Sequence, residues 1–289
     1  MTSRPAAPIA VTGATGHVGG LVARDLAATG VEQRLLVRSN DRAPDLPGAT
    51  VFEAPYDDRT AAVIALTGVR LLLMVSAAES EDRARQHRAF LDAAAEAGVE
   101  HVVYTSFLGA APDATFLLAR DHWATEQHIR DTGVHHTFLR NSLYLDVLPE
   151  LAGPDGVIRG PARDGVVGAV ARVDVARVAT AVLAEPDRHR DVTYDLTGPE
   201  ALTLAEVART VNEVTGSALT YHHETLEEAF DSRADYGAPD WQVAAWVSTY
   251  TAIATGELAA VTGHVEAVTG RRPMSLREHL QATHPAARG

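Results

Sequence analysis

The chain has 289 residues, of which 46% are hydrophobic, enough for one large or two small domains with a sizeable core. Its net charge of −13 argues against nucleic-acid binding through a basic surface. It contains no cysteine and no lysine, which excludes disulfides, thiolate nucleophiles, cysteine metal sites and a Walker A or Schiff-base lysine. The first apolar run is interpreted as a strand and none is long enough to span a bilayer, so we expect a cytoplasmic protein without membrane attachment.

Strand and helix patterns alternate through the first half of the chain. This alternation predicts an α/β fold built on a doubly wound parallel sheet with helices on both faces. Strands are predicted at Ile9–Val11, Arg34–Val37, Thr50–Glu53, Leu71–Val75, His101–Thr105 and Thr137–Arg140, and helices at about Val18–Ala28, Asp58–Leu66, Glu81–Ala97 and Phe116–Asp131.

The pattern changes after Asn141, where glycine-rich and loop-like segments appear. Two clear helices follow, with Asp174 and Thr203 as their expected N-caps. We expect a first domain over residues 1–150 and a smaller C-terminal α/β lobe over 151–289, intertwined within one larger domain. The elements predicted in the second part are helices at Asp174–Ala184 and Leu202–Thr215 and strands at Asp191–Leu196 and Leu219–His222.

A glycine-rich turn, Thr12–Gly19, joins the first predicted strand to the first predicted helix. Its spacing is G-x-x-G-x-x-G, not the G-x-G-x-x-G of the standard dinucleotide fingerprint. A pyrophosphate can bind at such a helix N-terminus, where free backbone N–H groups and the positive end of the helix dipole meet the phosphates. We expect Gly13 to make the turn, Gly16 to let the backbone approach the phosphates and Gly19 to let the helix pack on the strand. The expected nucleotide contacts are Gly13, Thr15, Gly16, His17 and Val18.

Arg38 stands at the end of the second predicted strand, where an NAD-specific site has an acidic residue for the ribose hydroxyls. Its guanidinium can pair bidentately with phosphate oxygens, and Ser39 and Asn40 follow it. The alternative is a solvated arginine at a strand exit. We predict NADP(H) as the cofactor, with Arg38 at the 2′-phosphate.

Two further strand ends are candidate cofactor contacts, because ligands of open α/β sheets lie outside the carboxyl ends of the strands. The fourth predicted strand ends just before Ser76 and Ala77. Their small side chains would let the nicotinamide half of the cofactor pass close to the backbone. An ordinary strand-end loop is the alternative there. Thr105, at the end of the fifth strand, is also predicted to lie at the cofactor.

Several segments of the chain, taken together, resemble one family. They are most similar to the type 2 NAD(P)H:quinone oxidoreductases, within the NmrA-like branch of the atypical short-chain dehydrogenases/reductases. The resemblance covers nearly the whole chain, and its Arg-x-x-Gln-His and Leu-Arg-Asn segments are more specific than the glycine motif. The segments are Thr12–Gly19, Arg38, Arg83–Arg88, Val103–Ser106, Asp121–Glu126, Leu139–Asn141, Arg172–Ala176 and Gly270–Pro273.

The resemblance implies a Rossmann domain with a small C-terminal lobe, NADPH as cofactor, and hydride transfer to a quinone or a similar flat acceptor. It also implies that Asp57 lies near the adenine, although Asp57 can equally be the N-cap of the helix that follows. Family members with other roles include NADPH-sensing regulators without turnover and reductases of dyes or phenolic natural products.

The chain departs from the classical members of the wider family at the catalytic helix. The stretch Leu118–Glu126 has neither the tyrosine nor the lysine that those members use. His122 stands where many NmrA-like relatives have a lysine. A histidine there can donate a proton, orient the acceptor or the ribose, or simply pack within the helix face. A quinone needs little general acid catalysis once it has accepted the hydride.

The sixth strand ends at Asn141, which we expect beside the nicotinamide carboxamide or the acceptor. Tyr144 and Phe107 offer an aromatic wall for a flat ring, although Tyr144 can instead pack in the core. The adjacent pairs His135-His136 and His222-His223 point to opposite faces of a strand and predict no metal site. The candidate catalytic residues are His122, Asn141 and Tyr144, and the candidate substrate contacts are Phe107, His122 and Tyr144.

Three functions remain open from the sequence: an NADPH-dependent quinone reductase, a regulator that senses NADP(H), and a reductase that tailors a phenolic or polyketide metabolite. The expected partner is a small quinone-like acceptor, with no nucleic acid and no membrane. The chain is expected to be a monomer or a homodimer.

Overall fold

A computed structural model describes residues 7–284. The chain divides into two compact units that interleave along the sequence. The first comprises the chain up to Ser106 together with Asp121–Leu139 and Val175–Tyr194, and the second comprises Phe107–Arg120, Arg140–Asp174 and the chain from Asp195 onward. The sequence analysis expects two intertwined lobes that meet at residue 150. In the division found here, the first unit takes Val175–Tyr194 from beyond that residue and the second takes Phe107–Arg120 from before it.

Eleven strands, ten α-helices and four short 3-10 helices are formed by residues 7–284. The strands are β1 Ile9–Thr12, β2 Gln33–Val37, β3 Ala49–Glu53, β4 Leu71–Met74, β5 His101–Phe107, β6 His135–Asn141, β7 Val157–Gly160, β8 Val166–Val167, β9 Val192–Leu196, β10 Leu202–Thr203 and β11 Thr220–His223. The helices are α1 His17–Ala28, α2 Arg59–Leu66, α3 Arg83–Glu96, α4 Leu117–Thr132, α5 Arg172–Ala184, α6 Leu204–Thr215, α7 Leu226–Asp231, α8 Asp240–Ala254, α9 His264–Thr269 and α10 Leu276–Thr283.

Seven strands form the main sheet, in the order β3-β2-β1-β4-β5-β6-β9. Val11 of β1 is paired with Leu35 of β2 and with Leu73 of β4, both in parallel. Strands β2 with β3 and β4 with β5 are also parallel. This order is the doubly wound, Rossmann-like arrangement that the sequence predicts. The chain reverses its winding direction between β1 and β4, which places a crevice at their carboxyl ends.

The core of the first unit is apolar and lies between its sheet and its helices. Fully buried residues of the strands, such as Leu72 and Phe138, pack with residues of the helices, such as Leu66 and Phe90. Helix α1 contacts β1 and β2, and α2 contacts α3. The central strands β1 and β4 are buried on both faces, so their apolar residues run consecutively instead of alternating with polar ones.

The second unit has a separate core and two small sheets. Strand β11 pairs in parallel with β7, and β10 pairs antiparallel with β8. Its buried cluster includes Ile158, Leu204, Val207 and Ile253. As predicted, Thr203 is the N-cap of α6, where it forms a capping box with Glu206.

Asp174 does not cap α5, contrary to the sequence-based expectation. The helix begins two residues earlier, at Arg172, which places Asp174 in its first turn. There its carboxylate accepts a hydrogen bond of 2.7 Å from the backbone N–H of Met274. Asp174 therefore ties two segments of the second unit together.

Candidate functional site

A cavity of about 570 Å³ lies in the first unit at the carboxyl ends of β1 to β4. This is the point at which the sheet changes its winding direction, where open α/β sheets bind their ligands. Its size falls within the range of small-molecule and cofactor sites. The lining residues are Thr12, Gly13, Thr15, Gly16, Leu36, Arg38, Ala54, Pro55, Tyr56, Asp57, Val75, Ser76, Ala77, Ala78, Glu79, Ser80 and Gln86.

The glycine turn forms the floor of this cavity. Gly13 has a φ of +64°, which side-chain-bearing residues rarely adopt. A Cβ on Gly19 would lie 2.5 Å from the carbonyl oxygen of Gly13, so only glycine lets α1 pack this closely on the turn. The structure thus confirms that Gly13 makes the turn and that Gly19 permits the close packing.

The N-terminus of α1 has no side-chain cap. Gly16 is the N-cap residue and offers no side chain to the first-turn amides, and the first turn contains no acidic residue. Free N–H groups and the positive end of the helix dipole therefore meet at the cavity floor, where an anion would be stabilised. This local chemistry fits a pyrophosphate group.

Arg38 and Asp57 lie on the wall of the cavity at the ends of β2 and β3. Arg38 is exposed, immediately after the last residue of β2. The N-cap of α2 is Asp58, whose carboxylate accepts a 2.9 Å hydrogen bond from the N–H of Ala61. Asp57 is thereby left facing the cavity, and the capping alternative does not apply to it.

Three consecutive backbone N–H groups after β4 are each held by a buried side chain. The N–H of Val75 donates to Thr12 Oγ1 at 2.8 Å. The N–H of Ser76 donates to Thr105 Oγ1 at 2.8 Å, and that of Ala77 donates to His87 Nε2 at 2.9 Å. These N–H groups have left the strand ladder, so side chains replace the strand partner that they lack. We call residues 75–77 the β4 exit.

Tyr56 fixes the β4 exit from the other side. Its hydroxyl donates to the carbonyl of Val75 at 2.5 Å and lies 2.6 Å from Thr12 Oγ1. Burial raises the pKa of the Tyr56 phenol well above its ordinary value, so the hydroxyl stays protonated and can donate. The sequence analysis missed Tyr56, although its position between β3 and Asp57 could have indicated it.

The predicted cofactor residues fall into two groups. Gly13, Thr15, Gly16, Arg38, Asp57, Ser76 and Ala77 all line the cavity. Three others do not: His17 is exposed and lines a second, smaller pocket, Val18 is buried within α1, and Thr105 is buried beneath the β4 exit. The structure therefore gives Thr105 a supporting position, with its hydroxyl already engaged by Ser76.

His122 belongs to a buried polar cluster of the first unit. Arg83 donates a hydrogen bond to its Nε2, and its Nδ1 lies 2.9 Å from the hydroxyl of Tyr104. Burial, followed by the nearby charge of Arg83, holds the pKa of His122 well below its ordinary value. The ring is therefore neutral near pH 7. This geometry favours a positioning role, and the catalytic assignment of His122 stays a prediction.

Asn141 and Tyr144 lie together in the second unit. The amide Nδ2 of Asn141 donates to the Tyr144 hydroxyl at 3.2 Å, and its Oδ1 is buried without a hydrogen-bond partner among residues 7–284. A buried acceptor left open is unusual and is available to a ligand donor. The guanidinium of Arg172 lies 5.0 Å from the centre of the Tyr144 ring.

Phe107, the third predicted acceptor residue of the second unit, ends β5. Its ring lies 4.7 Å from that of Phe116, and the N–H of the next residue, Leu108, donates to the carbonyl of Asn141 at 2.9 Å. Phe107, Asn141 and Tyr144 are therefore brought together within the second unit, whereas His122 belongs to the first.

Between residues 7 and 284, no group of three or more His, Asp or Glu side chains is placed to hold a metal ion. Over the same part of the chain, none of the helices combines the length and apolar character that crossing a bilayer requires.

Comparison with known proteins identifies clear relatives. The model of the NmrA-like family matches residues 5–260. The chain is 36% identical over 240 residues to "Quinone oxidoreductase 2" of Escherichia coli K12, covering 80% of this chain and 83% of that protein. It is 31% identical over 286 residues to "NAD(P)H azoreductase" of Xenophilus azovorans, covering 97% and 99%.

A solved structure matches over almost the full length. It is the crystal structure of the NADPH-dependent quinone oxidoreductase QOR2 of Escherichia coli in complex with NADPH. It superposes with a TM-score of 0.86 at 32% identity, covering 95% of this chain and 99% of that one.

Proposed function

Because the chain belongs to the NmrA-like family, we propose that it is an NADPH-dependent oxidoreductase that reduces a quinone or a similar planar electrophile. The observation that carries the proposal is the cavity at the carboxyl ends of β1 to β4, with an uncapped helix N-terminus at its floor and Arg38 on its wall. Relatives described as quinone oxidoreductase and azoreductase support a small-molecule acceptor.

The residues of the cavity fit NADP(H) from one end to the other. The first-turn amides of α1 suit the pyrophosphate, which carries negative charge. Arg38 suits the 2′-phosphate, because a guanidinium forms bidentate, charge-assisted hydrogen bonds with phosphate oxygens. Asp57 is free to contact the adenosine half, and the small side chains of Ser76 and Ala77 leave room for the nicotinamide half.

NADPH, when bound, supplies a hydride, and the acceptor takes up a proton to complete its two-electron reduction. In this proposal the protein acts mainly by holding the two reactants in register. Phe107 and Tyr144 provide apolar ring faces for a flat acceptor. The open Oδ1 of Asn141, in the same unit as these two rings, can accept a hydrogen bond from the reduced acceptor. The one proton that completes the reduction can come from solvent.

Steady-state oxidation of NADPH by the pure protein tests this proposal. The assay uses simple benzoquinones and naphthoquinones, a flat azo dye as an alternative acceptor, and NADH in parallel. Turnover with quinones that is faster with NADPH than with NADH is the expected result. Tight NADPH binding without turnover on any acceptor would overturn the reductase proposal and favour an NADP(H)-sensing regulator.

A third outcome separates a general quinone reductase from a tailoring reductase. Turnover only with phenolic or polyketide-like substrates that need protonation on carbon would favour the tailoring role. General acid catalysis matters more in such a reaction, so a substitution of His122 would then reduce turnover far more than it does for a quinone.

A further inference from the structure

We propose that His87 is a positioning residue for the cofactor, because its imidazole accepts a hydrogen bond from the N–H of Ala77 and so holds the β4 exit in the conformation that forms one wall of the cavity. His87 lies in the Arg83–Arg88 segment and does not line the cavity itself. The inference rests on the proposed cofactor site and adds a residue to it.

The contact to Ala77 comes from a different element than the other contacts of the β4 exit. Thr12 and Thr105 hold the N–H groups of Val75 and Ser76 from strands of the sheet itself. His87 reaches the N–H of Ala77 at 2.9 Å from helix α3. Ala77 is the last residue of the β4 exit, so its wall position depends on where α3 places the imidazole.

A single tautomer of His87 satisfies every hydrogen bond around the ring. Because an N–H donates to Nε2, the neutral ring carries its proton on Nδ1. Nδ1 lies 3.0 Å from Thr125 Oγ1, which can accept that proton. The Thr125 hydroxyl donates its own hydrogen to the carbonyl of Asp121 at 2.8 Å. The N–H of Ala77 therefore donates to His87, His87 to Thr125, and Thr125 to the carbonyl of Asp121. Thr125 thus selects the His87 tautomer that can accept from Ala77.

Neighbouring rings restrict the plane of the imidazole. Tyr56 and Tyr104 meet it edge-on, with ring centres at 5.8 Å and 5.9 Å. His87 itself is completely buried. Burial, followed by the charge of Arg83, lowers its pKa to about 3. The ring therefore stays neutral near pH 7, so proton transfer is not its task and its contribution is geometric.

Paired substitutions at His87 separate the hydrogen bond from the packing. His87→Phe keeps a ring of similar size and removes the acceptor, whereas His87→Gln keeps an acceptor oxygen at a similar reach. The dissociation constant for NADPH is measured for each by titration of intrinsic fluorescence, together with the thermal midpoint. We expect His87→Phe to weaken NADPH binding roughly fivefold to tenfold, the worth of one buried hydrogen bond, and His87→Gln to restore most of the affinity.

Substitutions at Thr125 test the same hydrogen-bond chain without touching His87, and they remain informative if His87→Phe does not fold. Thr125→Val removes the hydroxyl at constant shape, and Thr125→Ser restores it. We expect Thr125→Val to weaken NADPH binding and Thr125→Ser to bind more tightly than Thr125→Val. Thr132→Val is the matched control, because Thr132 lies on the same helix and its hydroxyl donates to the carbonyl of Ile129.

The outcomes distinguish this inference from the proposed function. If the wild-type protein binds no NADPH, the proposed cofactor and this inference both fail. If the wild-type protein binds NADPH and the His87→Phe and Thr125→Val variants bind it equally well, the positioning role is wrong and the proposed function stands. A lower thermal midpoint with unchanged affinity would likewise show a purely structural role, because stability alone does not alter the affinity of the folded molecules.

Discussion

The phenol oxygen of Tyr104 lies 2.9 Å from Nδ1 of His122. Arg83 donates to the other ring nitrogen, and arginine has no acceptor to offer. The ring must therefore carry its proton on Nδ1 and donate it to Tyr104. This arrangement holds the imidazole neutral and bonded at both nitrogens, which suits a residue that organises buried polar groups and not one that supplies a proton.

A substitution of His122 is expected to have little effect on quinone reduction. His122→Gln retains an acceptor for Arg83 and a donor for Tyr104, so the cluster can remain satisfied. We expect kcat with a simple quinone to change by no more than about threefold, because an essential general acid would contribute about a hundredfold or more. Stopped-flow absorbance of NADPH at 340 nm provides the measurement. A loss of a hundredfold in a folded variant with unchanged NADPH affinity would support the catalytic assignment and contradict the positioning role.

Removal of Arg38 is expected to reduce the preference for NADPH over NADH. A charge-assisted hydrogen bond to phosphate is worth about 1.5–3 kcal/mol, so Arg38→Ala should raise the KM for NADPH roughly tenfold to a hundredfold. The KM for NADH should barely change, since NADH lacks the 2′-phosphate. Arg42→Ala is the matched control, because Arg42 is a nearby exposed arginine that does not line the cavity. Equal effects of Arg38→Ala on both cofactors would contradict the 2′-phosphate role.

The stability of the folded protein should fall as the pH is lowered from about 6.5. Burial lowers the pKa of His87 to about 3 and that of His101 to about 4, and it also holds that of His122 well below the ordinary value. Between these values and pH 6.5 the unfolded chain binds protons that the folded protein does not. Each such histidine then removes about 1.4 kcal/mol of unfolding free energy per pH unit.

Urea denaturation at pH 7, 6, 5 and 4.5 measures this loss. His87→Gln removes one of the titrating groups, so its stability should decrease less steeply with falling pH than that of the wild-type protein. Parallel pH profiles for the two proteins would show that His87 is not excluded from protonation in the folded state.

Alanine at Gly19 should disrupt the glycine turn. Its Cβ would lie 2.5 Å from the carbonyl oxygen of Gly13, closer than a real Cβ contact allows, so the helix or the turn must move. We expect a destabilisation of about 1–3 kcal/mol, typical of overpacking, together with weaker NADPH binding. Gly263→Ala is the control, because a Cβ there meets no atom within 4 Å. Thermal unfolding of both variants gives the comparison, and a Gly19→Ala variant as stable as Gly263→Ala would contradict the close-packing account.

Much of the nucleotide half of the fold could be predicted from the sequence. The elements from β1 to β6 lie within two residues of their predicted bounds, because buried strands and amphipathic helices have strong periodic patterns. The same patterns place Arg38 and Ser76 at strand ends, and both line the cavity. Position at the end of a parallel strand was enough to predict these two cavity residues, but not to predict that Thr105 is buried beneath the β4 exit.

The supporting hydrogen bonds could not be predicted in the same way. Thr105 and His87 face inward towards backbone groups of the β4 exit, and this direction depends on how α3 and β5 pack against each other in space. The choice between Asp57 and Asp58 as the cap of α2 depends on a one-residue difference in where the helix begins. The sequence predicts two intertwined lobes but not which segments each unit takes, because those segments are brought together only by tertiary contacts.

Calorimetric titration of the wild-type protein with NADPH and with NADH tests the central claim most directly. The claim is that the cavity at the carboxyl ends of β1 to β4 is an NADP(H) site in which Arg38 recognises the 2′-phosphate. The account predicts one site per chain and NADPH binding at least about tenfold tighter than NADH binding. Equal affinities for the two cofactors, or no binding of either, would contradict it.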